Sequence, residues 1–243
     1  MELPPTGSPG IGAVSALWRY PVKSMLGEGL EEAEFSHSGI PGDRAYAVAD
    51  GESGQHRNAK RAGWQDLFAF AARLEGDGAA ALRISTPGGG IVAGDHPDRD
   101  RLLSGAFGRD VRLEEARGEP FFDLGAVHLL TTSSLEKLRE LYEEGDFDPR
   151  RFRPNVVVDL DGGEKGFFED GWIGRTLRLG DEVVLEVTEP VVRCVMTTLA
   201  QGDLPKDPRI MSTTYRHHGN QLGVYASVVR GGLVRRGDRV TLA

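Results

Sequence analysis

Short apolar runs, broken by glycine and proline, follow one another along most of the chain. Runs of four to seven residues with this spacing are typical of strands joined by tight turns. A hairpin is predicted where Pro87 and three glycines separate two such runs, and residues 67–74 fit either a strand or a helix. The predicted strands are residues 14–20, 30–35, 45–49, 82–86, 91–93, 127–131, 155–159, 176–179, 183–187, 224–229 and 239–242.

Helical spacing is found in only two places. Residues 97–107 form a short amphipathic pattern, and a second helix is predicted to follow the strand at 127–131. Ser133 and Glu136 match a capping box, which makes Ser133 the predicted cap. This pattern favours a mainly β protein with some α, barrel-like or α+β, over a doubly wound parallel sheet.

Turn-forming residues also suggest how the chain is divided. Residues 117–120 mark a boundary between predicted domains at 12–117 and 118–243. Residues 1–11 are expected to be a loose tail, 200–220 a polar loop, and 231–238 a tight turn.

Composition limits the classes of partner. The 243 residues carry a formal net charge of −8, with 39% hydrophobic and 27% charged residues. An acidic protein is a poor match for nucleic acid, which requires a basic face. The sequence shows neither a signal peptide nor an apolar stretch long enough to cross a bilayer, so we expect a cytoplasmic protein without a membrane partner.

The chain contains one cysteine, Cys194, which cannot form an intrachain disulfide. It is therefore a buried core residue, a nucleophile or a metal ligand. Arg193 precedes it, and a neighbouring cation favours the thiolate that attacks electrophiles and binds metals. The sequence around the thiol leaves all three roles open.

Two segments in the first half place polar groups at predicted strand ends. Lys23 and Ser24 follow the first strand after a proline, where they suit a phosphate but also an ordinary solvated loop. Arg44 opens another strand after a glycine turn, and its planar group of donors suits phosphate oxygens or a neighbouring carboxylate.

Two further segments lie in the second half. Thr132 and Ser133 stand where a strand turns into a helix, which is an anion site or simply a helix cap. Arg153 and Asn155 lead into a buried-looking strand. They would either contact the edge of a heterocycle or form a charged strand edge. Taken together, these cations at strand ends in an acidic chain predict a basic pocket for an anion.

Four motifs give the chain a resemblance to a known family. They are Tyr-Pro-Val-Lys-Ser at 20–24, Gly-Asp-Arg at 42–44, Arg-Phe-Arg-Pro-Asn at 151–155 and Arg-Cys-Val-Met-Thr-Thr at 193–198. In this order they resemble MOSC-domain proteins, named for the C-terminal domain of molybdenum-cofactor sulfurase, and most of all the amidoxime-reducing members. The resemblance covers residues 12–242.

The resemblance implies a MOSC β-barrel after a β-rich N-terminal domain, with molybdenum–molybdopterin bound between them. It implies that Cys194 is the catalytic residue and ligates the metal. The same resemblance assigns cofactor contacts to eight other residues, Thr132 and Ser133 less securely. Those eight are Lys23, Ser24, Arg44, Thr132, Ser133, Arg153, Asn155 and Arg193.

The function implied is reduction of N-hydroxylated or N-oxide-type small molecules. With a single cysteine the chain cannot hold an iron–sulfur cluster, so a separate ferredoxin- or cytochrome-type donor, served by a reductase, is expected to supply electrons. An alternative is a sulfur carrier with a persulfide on Cys194, and a third is a cofactor-storage module. His217 and His218 are expected to be a surface or hydrogen-bonded pair, with a substrate-side proton donor as the alternative.

Overall fold

A computed structural model describes residues 10–242. The predicted tail therefore lies outside the described residues, except that Gly10 and Ile11 already belong to the first strand. The strands are β1 (Gly10–Arg19), β2 (Glu28–Leu30), β3 (Glu32–Phe35), β4 (Tyr46–Asp50), β5 (Ala71–Leu74), β6 (Leu82–Ser85), β7 (Ile91–Ala93), β8 (Val111–Glu115), β9 (Val127–Thr131), β10 (Val156–Leu160), β11 (Thr176–Leu179), β12 (Val183–Val192), β13 (Gln221–Arg230), β14 (Gly232–Arg235) and β15 (Arg239–Leu242). The helices are α1 (Arg99–Phe107), α2 (Thr132–Leu141) and α3 (Pro208–His218), with 3₁₀ turns at Gln65–Ala69, Ala79–Ala81, Pro149–Arg151, Phe168–Trp172 and Val195–Thr198.

A closed seven-stranded barrel forms the larger part of the fold. Its strands pair in the order β10-β9-β13-β12-β11-β15-β1, and β1 pairs with β10 to close the ring. The β10–β9 pair is parallel and every other pair in the ring is antiparallel. Alternating residues such as Val14, Leu129 and Val158 point into a buried apolar core, so the predicted mainly β, barrel-like fold is confirmed.

The remaining residues of the first half build a second core. The β4–β8 pair, the β5–β6–β7 sheet and α1 surround a cluster that includes Phe70 and Phe107, whose rings stack with centroids 3.9 Å apart. Met196 and Leu199, just after the cysteine, pack into this cluster. The segment that carries Cys194 is thus anchored in the core of the other half.

Strand pairing crosses the predicted boundary near residue 117. β1 is a barrel strand, β2 extends the sheet from β1, and β3 pairs with β14 close to the other end of the chain. The division into 12–117 and 118–243 stays a prediction. In packing terms, Val14, Leu17, Ala33 and Phe35 of the first half belong to the barrel core.

Several local predictions need correction. Residues 67–74, which fitted either a strand or a helix, contain the end of the 3₁₀ turn Gln65–Ala69 and then β5. Strand β8 was not predicted. The predicted polar loop at 200–220 contains α3, which begins after the Asp207 cap and ends at Gly219. The segment 231–238 is a strand, β14, followed by the turn.

The cap of α2 is also different from the prediction. The Thr131 hydroxyl accepts the hydrogen bond from the backbone N–H of Ser134 at 3.1 Å, so Thr131 and not Ser133 is the cap. Among residues 10–242, no helix has both the length and the apolar character needed to cross a bilayer.

Candidate functional site

A cavity of about 310 Å³ lies between the barrel and the second core, with both halves of the chain in its wall. Cationic side chains dominate its charged lining, against two carboxylates, Asp123 and Glu189. A single-sign cluster in a partly enclosed cleft concentrates anions. The cations are Lys23, Arg44, Lys60, Arg151, Arg153 and Arg193.

Two arginines from different halves of the chain share one aromatic ring in this wall. The guanidinium carbon of Arg44 lies 4.6 Å from the Tyr20 ring centroid, and that of Arg153 lies 4.2 Å from it. Burial, together with the charge of Arg44, lowers the pKa of Arg153 to about 10. Two buried like charges on one ring leave positive potential that an anion would relieve.

Asp43 and Asn155 hold these arginines in place. The Asp43 carboxylate, 1% exposed, accepts hydrogen bonds from the Tyr20 backbone at 2.7 Å, from the Asn155 side chain at 3.0 Å and from Arg44. Arg44 also donates to the Asn155 Oδ1 at 3.3 Å and to the Arg153 carbonyl at 3.2 Å. A network this complete fixes the direction of each guanidinium.

Backbone strain is concentrated at the same place. In residues 10–242 the non-glycine residues with positive φ are Ser24, Arg44, Arg153 and Asn220. The first three line the cavity, and Asn220 donates from its side chain to the Arg193 carbonyl at 2.7 Å. Side-chain-bearing residues persist in this conformation only when their surroundings enforce it, and such residues cluster at functional sites.

Lys23 meets a carboxylate from the connection between the two halves. Its Nζ lies 2.9 Å from the Asp123 carboxylate, which also lies 3.5 Å from Lys60. Burial opposes the charge of Asp123, but the bond from Lys23 prevails and lowers the pKa of this carboxyl. Because Asp123 is about half exposed, the pair is a weak, salt-sensitive contact that a bound anion can replace.

Cys194 is half-buried and lies in the cavity wall at the end of β12. It precedes the 3₁₀ turn Val195–Thr198, whose Thr197 donates from its backbone and hydroxyl to the Cys194 carbonyl at 3.1 Å. Val192 and Val195, on either side, are exposed. Cys194 is therefore not fully sealed in a core, because it lines the cation-lined cavity while also packing against the second core.

Arg193 also lines the cavity, but its guanidinium is committed to the protein. It donates to the carbonyls of Phe152, at 3.0 Å, and Leu222, and contacts the His128 ring. Burial lowers its pKa to about 10. The Nε of Arg193 is buried and has no hydrogen-bond partner within the described part of the chain.

The structure does not bring Thr132 and Ser133 into the cavity wall. The Thr132 hydroxyl donates to Asp159 at 2.6 Å, and the Ser133 hydroxyl donates to the Glu164 carbonyl. Both lie past the carboxyl end of β9, whereas the cavity lies at its amino end. Of the predicted cofactor contacts, the other six line the cavity with Cys194.

The two histidines of α3 are also outside the cavity. His218 bonds Asp170 at 2.6 Å and the Gln221 carbonyl at 2.7 Å, which fits the predicted hydrogen-bonded role. His217 is exposed at the end of the helix. Neither is placed to act as a substrate-side proton donor in the cavity, because neither side chain contributes to its wall.

Comparison with known proteins agrees with this architecture. The MOSC N-terminal beta barrel domain matches residues 11–106, and the MOSC domain matches residues 120–241. The chain belongs to the MOSC family. No protein in the curated set matches it significantly.

A solved structure with low sequence identity shares the fold of this MOSC protein, and two others resemble part of it. The YuaD protein from Bacillus subtilis is 15% identical, with 95% of this chain and 94% of that chain covered and a TM-score of 0.51. YiiM from Geobacillus stearothermophilus is 18% identical, covering 54% of this chain and 67% of that one at a TM-score of 0.37. YiiM from Escherichia coli is 16% identical, with 49% of this chain and 54% of that chain covered and a TM-score of 0.37.

The residues present fit a metal that brings ligands of its own. Within residues 10–242, no group of three or more histidine, cysteine, aspartate or glutamate side chains is arranged to hold a metal ion. A single thiolate suits a soft metal whose other ligands are sulfur and oxygen atoms from outside the protein. The surrounding cations suit an anionic group beside that metal.

Proposed function

We propose that this MOSC protein binds a molybdenum–molybdopterin cofactor and acts as a molybdenum-dependent oxidoreductase. Its substrates would be small N-hydroxylated or N-oxide-type molecules. The observation that carries the proposal is one half-buried thiol, Cys194, in the wall of a cavity lined by cations from both halves of the chain.

Six of the residues that line the cavity have a definite role in this proposal. Cys194 would ligate the metal, and Lys23, Ser24 and Arg44 would hold the phosphate side of the cofactor. Arg153 and Asn155 would bind the pterin side from the barrel, where an amide can both donate and accept. When bound, the cofactor would supply two-electron redox chemistry.

The substrate would enter beside Cys194, where Val192 and Leu124 are exposed at the cavity wall. Removing the oxygen of an N-hydroxyl group as water consumes two electrons and two protons. The electrons would come from outside these 243 residues, from a ferredoxin- or cytochrome-type donor with its reductase, because their one cysteine cannot bind an iron–sulfur cluster.

The same thiol supports a second candidate, a sulfur carrier with a persulfide on Cys194. Its half-buried position at an open cavity allows a donor and an acceptor to reach the sulfur in turn. Both uses need the thiolate form. They differ in what the purified protein carries, namely a metal and a pterin or one additional sulfur atom on the cysteine.

The deciding experiment measures molybdenum, pterin and protein mass after expression in a host that makes the cofactor. We expect about one molybdenum per chain in the wild type and almost none in Cys194→Ala, with an unchanged circular dichroism spectrum. Thr132→Ala is the matched control, since Thr132 lies outside the cavity, and it should retain the metal. A metal-free wild type with an additional 32 Da on Cys194 would favour sulfur transfer instead.

A further inference from the structure

His128 lies in the cavity wall, although no sequence motif identified it. It lies on β9, is 4% exposed, and lines the cavity. Its Nδ1 is 3.1 Å from the Arg153 carbonyl oxygen, and its Nε2 is 2.7 Å from the Arg193 Nη2. The ring therefore bridges two of the arginines that face the cavity.

The two contacts determine which ring nitrogen carries the proton. A carbonyl oxygen can only accept, so Nδ1 must donate to Arg153. A guanidinium can only donate, so Nε2 must present its lone pair to Arg193. Burial and the charges of Arg193 and Arg44 hold the pKa of His128 well below its ordinary value, which agrees with a neutral ring.

The backbone of His128 is joined to a third cavity residue. Its N–H donates to the Asn155 Oδ1 at 3.1 Å, and its carbonyl accepts from the Asn155 backbone N–H at 2.8 Å. This pair fixes the Asn155 amide so that its nitrogen faces Asp43. One residue thus contacts Arg153, Asn155 and Arg193, each of which borders the cavity.

The contact with Arg193 decides which of its donors remain available. The Phe152 and Leu222 carbonyls and the His128 ring take up three of the four N–H groups on the two terminal nitrogens. These contacts hold the guanidinium in one orientation in the cavity wall, with its Nε–H buried and unpartnered in the described chain. Without the ring, the guanidinium could rotate and direct other donors into the cavity.

We propose that His128 is a positioning residue for the anion-binding wall, a neutral imidazole with its proton on Nδ1 that fixes the orientation of the Arg193 guanidinium and holds the Arg153 backbone in its left-handed conformation. This inference rests on the anion-binding part of the proposed function and does not require the redox activity. Gly223 supports it, because a Cβ there would lie 2.6 Å from the His128 Nε2, so the facing strand leaves room for the ring.

The first test compares three variants by calorimetric titration with inorganic pyrophosphate. We expect His128→Leu to bind at least tenfold more weakly than the wild type, and His128→Gln, whose amide oxygen can still accept from Arg193, to bind within threefold of it. His218→Leu is the matched control. His218 also bonds a carbonyl through Nδ1 and a charged side chain through Nε2, but outside the cavity, so its affinity should stay within twofold.

Three outcomes of these titrations would refute the proposal. The proposal fails if His128→Leu binds within twofold of the wild type, if His218→Leu weakens binding as much, or if the wild type does not bind pyrophosphate. A ¹⁵N-resolved spectrum gives an independent readout, and we expect the Nδ1–H tautomer of His128 at pH 7 and above. An imidazolium or an Nε2–H tautomer contradicts the assignment. Wild-type protein that binds pyrophosphate but retains no molybdenum would defeat the proposed function alone.

Discussion

Replacing Asp43 by alanine tests whether the cationic wall depends on one buried carboxylate. Asp43 accepts from the Tyr20 backbone, from the Asn155 amide and from the Arg44 guanidinium, and is essentially inaccessible to solvent. In the variant these donors lose their acceptor, and Arg44 and Arg153 face each other over the Tyr20 ring without a compensating charge.

The expected cost follows from the burial of the pair. Removing one partner of a buried ion pair typically costs about 3–5 kcal/mol, because the other charge is left uncompensated. The Arg44 side chain is 15% exposed and can therefore recover some hydration. This places the expected loss of stability near the lower end of that range. We expect about 3 kcal/mol, on the order of a hundredfold in the folding equilibrium.

Urea denaturation followed by fluorescence measures this free energy of unfolding. Asp161→Ala is the control, because Asp161 pairs with Arg239 at 2.6 Å where both side chains are more than half exposed, and its stability should stay close to wild type. A loss below about 1 kcal/mol for Asp43→Ala would show that water in the cavity already screens the arginines and that the carboxylate is not their main support.

Three further predictions concern the strand facing His128, a buried carboxyl and the second core. Gly223→Ala should lower the midpoint of thermal unfolding and weaken pyrophosphate binding, since its φ of +77° and a Cβ 2.6 Å from His128 force the backbone or the ring to move. Burial raises the pKa of Glu169 above its ordinary 4.5, so its stabilising contribution is present at low pH and is lost as the pH rises through the raised value. Glu169→Gln, which mimics the protonated form, should therefore gain stability relative to wild type between pH 4.5 and pH 8 in urea titrations, and a constant difference would contradict this. Phe70→Ala removes the stack on Phe107 and should cost about 3–5 kcal/mol in the same assay, whereas a loss under about 1 kcal/mol would mean that the second core is loosely packed.

Local patterning was sufficient to predict most of the strands. Apolar runs such as 127–131 and 176–179 coincide with β9, which is buried along its whole length, and with β11, which buries alternate residues. α3 was missed because threonine, serine and histidine dominate its sequence, and only Ile210, Thr213 and Thr214 are buried. Its formation depends on packing against the 3₁₀ turn after Cys194 and against β13.

Part of the site was also predicted from local sequence patterns. Cations at strand ends identified Lys23, Arg44, Arg153 and Arg193, and the structure brings them to one cavity. The residues that hold them, Asp43 and His128, were not recognised as site residues, because a buried acceptor is defined by the donors that the fold brings to it. Lys60 and Asp123 were missed because surface loops carry such residues everywhere.

Closure of the barrel through β1 has a consequence for the order of folding. β2 pairs with the last residues of β1, but β10 and β15, which flank the rest of β1, are synthesised more than 130 residues later. Such distant pairings impose a slow search and leave unpaired edges exposed meanwhile. Moving β1 to follow β15 by circular permutation would make the β1–β15 pairing local. We expect the permuted chain to refold faster after dilution from urea.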